Sequence, residues 1–343
     1  MNTAGDRVAV VVNGNAKGVS DEIVAVLDQI VQSGDLFVSR DLEEGKDIAR
    51  RIVTRGYHTV LTGGGDGTFT QMVTWICRHA DELGVEAPRF GFLKLGTGNA
   101  LAWVLGAQNG VVADLGRLRK HGGSRELRLV EVEGMMAPFA GVGVDALALQ
   151  DFGTVRDAMR KVPVLRRYGT GGLAYAVSIV GLSLPRIVVW PHPSVRVINL
   201  GEPAVRLGVD GQPVGEPVGP GEVLYDGPMR GVWVSTIPYW GFGSRIFPFA
   251  EDREDRFNLR IVDLTSFDVA WNIRSIWRGA YRDDRLHDFL VEKIRVELPK
   301  PLPFQIGGDA HGDRKEFEVQ LSRKIRVVDY YAPPPVSPSE TAH

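Results

Sequence analysis

One cysteine, Cys77, in 343 residues excludes an intramolecular disulfide and a cysteine-rich zinc site, and it fits a reducing compartment. Charge of one sign is also lacking. The 40 Lys and Arg nearly balance the 42 Asp and Glu, and a net charge of −2 gives no general attraction to nucleic acid. Long apolar runs are missing too: the longest, Leu173–Leu184, falls short of the ~20 residues that cross a bilayer. Met1–Asp6 is short and polar and leads straight into a strand pattern, so no signal peptide is expected. There is no internal repeat. With 44% hydrophobic and 24% charged residues the composition is ordinary for a globular protein, and the length favours two domains. These absences predict a cytoplasmic protein, soluble or peripherally attached to a membrane.

What the chain does have is glycine in clusters. The densest lies in Val60–Val73, where Gly63, Gly64, Gly65, Asp66, Gly67 and Thr68 follow a β-branched run and precede a helical pattern. Glycines at a strand-to-helix turn let backbone N–H groups approach an anion closely. The helix expected from about Phe69 points its positive end at the same place. Asp66 is the odd residue, because a carboxylate beside phosphate is repelled unless a metal or a proton-accepting task explains it. The combination suggests a metal–nucleotide phosphate site. A tight turn with an N-cap aspartate is the plainer reading.

The same grammar recurs along the first third of the chain. Val8–Val12 reads as a buried parallel strand and ends in the turn Asn13–Gly18, before a helix with Ile23, Val24, Leu27, Ile30 and Val31 on its apolar stripe. Leu36–Val38 is a short strand and Asp47–Arg55 a helix. Thr59–Leu61 feeds the glycine loop, and a helix through Met72, Val73, Ile76 and Cys77 follows. Arg89–Leu93 is a strand that runs into a second glycine turn, Gly96-Thr97-Gly98-Asn99, which opens another helix. Strand, polar turn and helix in sequence predict a doubly wound parallel sheet, with ligands outside the carboxyl ends of its strands.

Beyond about Leu127 the texture changes. Leu127–Val132, Phe139–Val144, Ile187–Val189, Val195–Ile198, Val232–Ile237, Leu259–Val262 and Ile294–Leu298 read as strands of an antiparallel sheet or sandwich. Arg156–Leu184 interrupts them with a helical stretch whose first half is basic: Arg156, Arg160, Lys161, Arg166 and Arg167. The tail 332–343 carries four prolines and is expected to be disordered. The fold class is therefore α/β plus β. An α/β domain over 1–127 precedes a β-rich domain over 128–321.

Taken together, Asn13–Gly18, Gly64-Gly65-Asp66-Gly67-Thr68, Gly96-Thr97-Gly98-Asn99, Gly141–Asp145 and Phe247–Ala250 resemble the diacylglycerol kinase and sphingosine kinase superfamily of lipid kinases. The similarity runs over nearly the whole chain. It implies that the first domain binds nucleotide, that the second binds lipid, and that a strand near 322–331 returns to the first. It also implies ATP and Mg²⁺ as cofactors and a lipid at a membrane surface as partner, with no role for nucleic acid and room for a homodimer. Gly64, Gly65, Asp66, Gly67, Thr68 and Thr70 would cradle the ATP phosphates, with Asp66 near magnesium. Gly96, Thr97 and Asn99 of the third turn would lie on phosphate or ribose, and Asn13 and Ser39 near the nucleotide. Asp145 would face the lipid head group, or else hydrogen-bond a neighbouring loop. Asp252 and Asp255 resemble part of an accessory magnesium site, although Arg256 and Asn258 replace its usual glycine and aspartate.

Two departures from the family bear on chemistry. Ala100-Leu101-Ala102 follows the third turn where many bacterial members have an aspartate, which looks more like the sphingosine kinase branch. The acceptor is then a diacylglycerol, a sphingoid base or a ceramide. Bacterial members also end the lipid domain with Asp-Gly-Glu, whose first aspartate accepts the proton. Here Gly307 takes that place and Asp309 stands where the glutamate would be. Asp66 is the first substitute acceptor, Asp309 the second and His311 the third, with Asp313 more distant. The alternatives to a lipid kinase are a nucleotide- or lipid-binding pseudokinase and a soluble NAD kinase-like enzyme. Trp271, Trp277 and Tyr281, interleaved with Arg274, Arg278 and Arg282, form an amphipathic stretch that suits either a membrane or the β-rich core.

Overall fold

The computed structural model describes residues 7–331, apart from 17–18, 31–34, 109, 122, 162–182, 189 and 191. Arg166, Arg167, most of the apolar run Leu173–Leu184 and the tail from Ala332 therefore lie outside the described residues. The chain divides into two units, the first holding Met1–Arg128 with Arg323–His343 and the second holding Leu129–Ser322.

The first unit alternates strands and helices: β1 (Val8–Asn13), α1 (Asp21–Ile30), β2 (Leu36–Ser39), α2 (Leu42–Thr54), β3 (Thr59–Gly64), α3 (Asp66–Leu83), β4 (Arg89–Lys94), α4 (Ala100–Leu105) and α5 (Val111–His121). Its strands lie side by side in the order β2-β1-β3-β4, all parallel. The chain's last strand adds to this sheet in parallel through Val327, opposite Phe90. Strands buried on both faces need continuous apolar runs, and Ala9–Val12, Val60, Leu61, Phe90, Phe92 and Leu93 are all fully enclosed. Phe69 of α3 packs edge-on against Phe90 and at a tilt against Phe92, with ring centres 6.3 and 6.2 Å away. The order reverses direction at β1 and β3, which brings the turns after those strands to one edge.

Helix α3 starts three residues before the position its apolar pattern suggests. Gly65 sits in extended backbone as the N-cap, so Asp66, Gly67 and Thr68 form the first turn rather than a loop. The helix ends at Gly84, whose φ of +65° is the left-handed cap that glycine accepts most easily. Helix α2 also starts early, at Leu42, because Asp41 accepts the Glu44 N–H at 2.9 Å.

The second unit is antiparallel. The chain enters it along β5 (Gly123–Val132) and continues through β6 (Met135–Ala137), β7 (Phe139–Gly143), α6 (Val144–Lys161), β8 (Ser194–Asn199), β9 (Val205–Leu207), β10 (Val223–Pro228), β11 (Gly231–Ser235), β12 (Phe257–Val262), β13 (Leu286–Val291) and β14 (Lys293–Ile306). It leaves along β15 (Asp309–Asp329). Short helices at Leu184–Val188 and Ser266–Trp277 interrupt the strands. One layer runs β14-β7-β11-β12-β13-β9, and β8 and β10 extend from the first half of β14. Pro299 and Pro301 lie where the β14 register breaks, between Glu297 and Leu302. The strand bends there, so that Ile294–Glu297 pair with β8 and Phe304–Ile306 with β7. Val142, Val197, Val234, Leu259, Val296 and Phe304 fill the core between the layers.

Two expected strands differ. Ile187–Val189 is not a strand: a helix covers Leu184–Val188 instead, with Pro185 in its first turn, where its missing N–H costs nothing. The strand expected over Phe139–Val144 stops at Gly143, whose φ is +123° and whose Cβ would meet the Arg230 carbonyl oxygen at 2.3 Å. Only glycine fits that corner. Asp145 consequently sits in the first turn of α6, not on a strand.

Candidate active site

Four strand ends of the first unit bring the predicted turns together. At the end of β1, Asn13 accepts the Asn15 N–H at 2.9 Å and donates through Nδ2 to the Thr68 hydroxyl at 3.1 Å. The Gly14 N–H donates to the Ser39 carbonyl at 2.8 Å, which ties in the end of β2. Ser39 spends its own hydroxyl on the Asp41 carbonyl. Between β3 and β4 the Leu95 N–H reaches the Gly64 carbonyl at 3.3 Å. A Cβ on Gly64 would stand 2.5 Å from the Thr68 hydroxyl.

The two glycine turns touch through their backbones. A Cβ on Gly96 would lie 2.3 Å from Gly65 Cα and 2.6 Å from its nitrogen, so glycine is required for this approach. Asn99 holds the second turn closed with its side chain, accepting the Gly96 N–H at 3.1 Å and donating to the Gly96 carbonyl at 2.7 Å. Its φ of 51° is a left-handed conformation that asparagine tolerates better than most residues. Gly65, Gly67, Thr68, Gly96, Thr97 and Gly98 remain partly or fully exposed, while Asp66 and Asn99 are buried.

Asp66 has a different task from the one expected of it. Its two carboxylate oxygens accept the N–H groups of Ala100 and Leu101, at 2.8 and 3.0 Å. The carboxylate therefore caps the start of α4 from across the loop and locks the two glycine turns together. This answers the puzzle of an acid beside a phosphate site. The charge turns inward onto backbone donors, and the exposed rim is left to glycines and threonines. Neither oxygen is poised as a proton acceptor, and the inward aim does not suit direct coordination of a metal. The bonds join residues more than thirty positions apart, and their donors are backbone groups, so no spacing rule could have revealed them.

The first turn of α3 offers the anion chemistry. Its leading N–H groups have no carbonyl one turn earlier to bind, and they carry the positive end of an 18-residue helix. Thr68 and Thr97 add hydroxyls on the same rim. Thr70, expected there, is only 1% exposed and points its hydroxyl into the interior one turn along the helix. Asn13, Ser39, Gly64, Gly65, Gly67, Thr68, Gly96, Thr97 and Asn99 all belong to the four turns.

In the second unit the residues around Gly307 form another cluster. Gly307 and Gly308 have φ of 58° and 84° and make a two-residue hairpin between Ile306 and Asp309. Two left-handed residues in succession suit Gly-Gly, but Asp-Gly fits the same turn, so the hairpin geometry does not explain the missing aspartate. Gln305 accepts the Gly308 N–H at 3.0 Å, while its own Nε2 and Asp145 Oδ2 are buried and make no hydrogen bond among the described residues. The Trp233 indole donates to Asp145 at 2.8 Å. Asp145 is 6% exposed, and burial pushes its carboxyl up to about 6 against that bond. Asp309 is exposed beside the hairpin. His311 is partly buried, and desolvation lowers its imidazole below the usual range.

Asp145 makes stability depend on pH with a definite sign. Its folded value lies above the unfolded one, so its contribution is complete below about pH 4 and is lost as pH rises through about 6. Asp145→Asn is expected to gain about 2 kcal/mol relative to wild type between pH 4 and pH 7. Denaturant unfolding of both proteins across that range measures the gap. A constant gap would mean that the carboxyl is not buried in the folded protein.

The residues expected to hold an accessory metal do not fit one. Arg253 grips both oxygens of Asp255 at 3.0 and 2.8 Å, and Arg256 adds a bond at 2.9 Å. Asn258 and Arg260 hold the buried Asp288 in the same region. Arginines neutralise these carboxylates, and no cluster of metal-ligating side chains occurs among the described residues. Cavities of about 210 and 180 Å³ open on outer strands of the second unit, beside Arg196 and Asp226 and beside Glu131 and Glu318. Neither holds a residue of the four turns or of the Gly307 cluster.

Residues 7–132 match the diacylglycerol kinase catalytic domain family. No curated protein matches the chain by sequence. Among solved structures, a diacylglycerol kinase from Bacillus anthracis str. Sterne is 12% identical with a TM-score of 0.60, over 96% of this chain and 98% of that one. Two structures from the same organism, assigned provisionally as diacylglycerol kinases, have TM-scores of 0.61 and 0.63 at 14% and 15% identity. They cover 95% and 96% of this chain, and 98% of each of theirs. The fold is the one those structures share, and the residues matched to the family include the four turns.

Proposed function

We propose that this chain, which resembles the diacylglycerol kinase superfamily by sequence over residues 7–132 and by fold throughout, is an ATP-dependent lipid kinase. The observation that carries the reading is the contact of the Gly65 and Gly96 turns at the start of α3, locked by Asp66 and flanked by Asn13 and Thr68. A rim of glycine N–H groups and threonine hydroxyls at a helix N-terminus binds phosphate by geometry and dipole together. Magnesium, when bound, neutralises charge on the nucleotide's phosphates. The rim residues orient them.

The second unit is assigned the lipid; there Asp309 adjoins the hairpin that replaces the family's acid, and Asp145 is buried. In the reaction a lipid hydroxyl oxygen forms a bond to the γ-phosphorus as the bond to the ADP oxygen breaks. The hydroxyl proton is lost late to solvent, and ADP leaves with the bond's electron pair. Such transfers have loose transition states in which positioning outweighs proton removal, so the glycine at 307 does not by itself abolish transfer. The protein works in the cytoplasm at a membrane surface, since its acceptor resides there.

Transfer of labelled γ-phosphate from ATP to a panel of diacylglycerol, monoacylglycerol, ceramide, sphingosine and undecaprenol in mixed micelles tests this, with NAD as soluble control. A labelled lipid establishes the kinase and names the acceptor. Label in NAD alone contradicts a lipid acceptor. Silence across the panel with intact ATP binding establishes the pseudokinase, the reading that Gly307 favours.

A further inference from the structure

The helix Ser266–Trp277 buries none of its residues. It is nevertheless firmly built. Thr265 and Asp268 close its start with a reciprocal capping box, and Arg285 holds Asp268 at 2.7 Å. Its far end is tied by the Arg245 N–H donating to the Trp277 carbonyl at 2.8 Å. The helix is anchored at both ends and exposed along one face, while Val269, Asn272 and Ile276 are partly covered.

Its outer stripe has an unusual composition. Phe267, Ala270, Trp271, Arg274, Trp277 and Arg278 recur at helical spacing and are all exposed. Phe267 is 73% exposed and Trp271 80%, and their rings stack with centres 6.0 Å apart. Single exposed aromatics need no explanation, but a contiguous aromatic stripe on a rigid helix marks a docking surface. Exposed Arg245, Arg274, Arg278 and Arg282 accompany it. The acids close by are largely spent, with Asp268 and Asp283 both held by Arg285 and Asp284 the opposing exposed charge.

We infer that this stripe docks the protein on an anionic lipid bilayer, with Phe267, Trp271 and Trp277 in the interface and the arginines on lipid phosphates. Aromatic rings with guanidinium groups on one helical face match the chemistry of a headgroup region. The helix is too short to cross a membrane, so it lies in the interface plane. A second copy of the chain is a poorer occupant, because a two-fold contact would set Arg274 and Arg278 against their own counterparts. The inference rests on the lipid-kinase reading only for why a bilayer is the working surface.

Flotation with vesicles, without nucleotide, tests it on the full chain. Vesicles of phosphatidylcholine with phosphatidylglycerol are compared with phosphatidylcholine alone, and tryptophan emission is followed in parallel. Wild type is expected to float only with the anionic vesicles and to shift its emission to the blue. Phe267→Ser with Trp271→Ser should weaken partitioning by about tenfold or more. Arg274→Glu with Arg278→Glu should abolish it at equal thermal stability. Failure of wild type to float, or equal flotation of both variants, overturns the inference. So does a wild-type dimer that the variants convert to monomer while flotation stays unchanged. Flotation is read without turnover, so a protein inactive on every lipid but bound through the stripe would sink the kinase reading alone.

Discussion

Gly96→Ala is expected to lower ATP affinity by about a hundredfold and to bring lipid phosphorylation to background. The added Cβ would fall 2.3 Å from Gly65 Cα and 2.8 Å from Asn99 Oδ1. Gly65 is backbone, which cannot swing away as a side chain does, so the two turns must part. Forcing one methyl into a packed contact costs about 1–3 kcal/mol. That strain falls on the turns proposed to bind phosphate, and each 1.4 kcal/mol withheld from binding is about tenfold in affinity. The second unit and its Asp145 cluster should be untouched. Titration calorimetry with ATP, alongside denaturant unfolding, separates lost affinity from lost fold. Wild-type affinity in Gly96→Ala would mean that the two turns do not act as one phosphate site.

Asp66→Asn is the second large effect, expected to cut phosphoryl transfer by about a hundredfold or more and to destabilise the first unit by about 2–3 kcal/mol. The amide keeps the shape but only one accepting oxygen, so one of the buried N–H groups of Ala100 and Leu101 meets an NH₂ group instead. It also removes the charge that faces the positive end of α4. Asp66, bonded to the Ala100 and Leu101 N–H groups, acts as a positioning residue in this proposal, and the pH profile of the residual activity is the discriminating readout. A positioning residue lowers the whole profile and leaves its shape. A proton acceptor would take the acidic limb away with it. A reshaped profile with unchanged stability would return Asp66 to direct catalysis.

The sequence made one kind of information accessible and hid another. Alternation of apolar runs with polar, glycine-bearing turns placed the first unit's strands and three of the four turns, because a buried parallel strand and its turn both leave local composition signals. The turn after β2, Ser39-Arg40-Asp41, has no glycine and left no such signal. The start of α3 was misplaced because glycine at the N-cap looks like loop. Asp66 was legible as an important acid but not as a cap, since its partners are backbone N–H groups on another loop. Gly143 concealed the change from strand to helix at Asp145 for a similar reason. Its necessity comes from the Arg230 carbonyl on a neighbouring strand. The Ile187–Val189 error has a plainer origin: a short apolar run fits strand or helix equally. Arg256 is visible in the sequence as a departure from the family pattern, but only the geometry shows that it and Arg253 engage Asp255 and that Arg260 engages Asp288.

The claim on which the rest depends is that the four strand-end turns of the first unit hold a nucleotide by its phosphates. Binding of the series ATP, ADP, AMP and adenosine to the full chain, with magnesium, tests it most directly. The account predicts affinity that climbs with each phosphate, and a climb that disappears in Gly96→Ala. Equal affinity for adenosine and ATP, or a climb that survives the substitution, would contradict it.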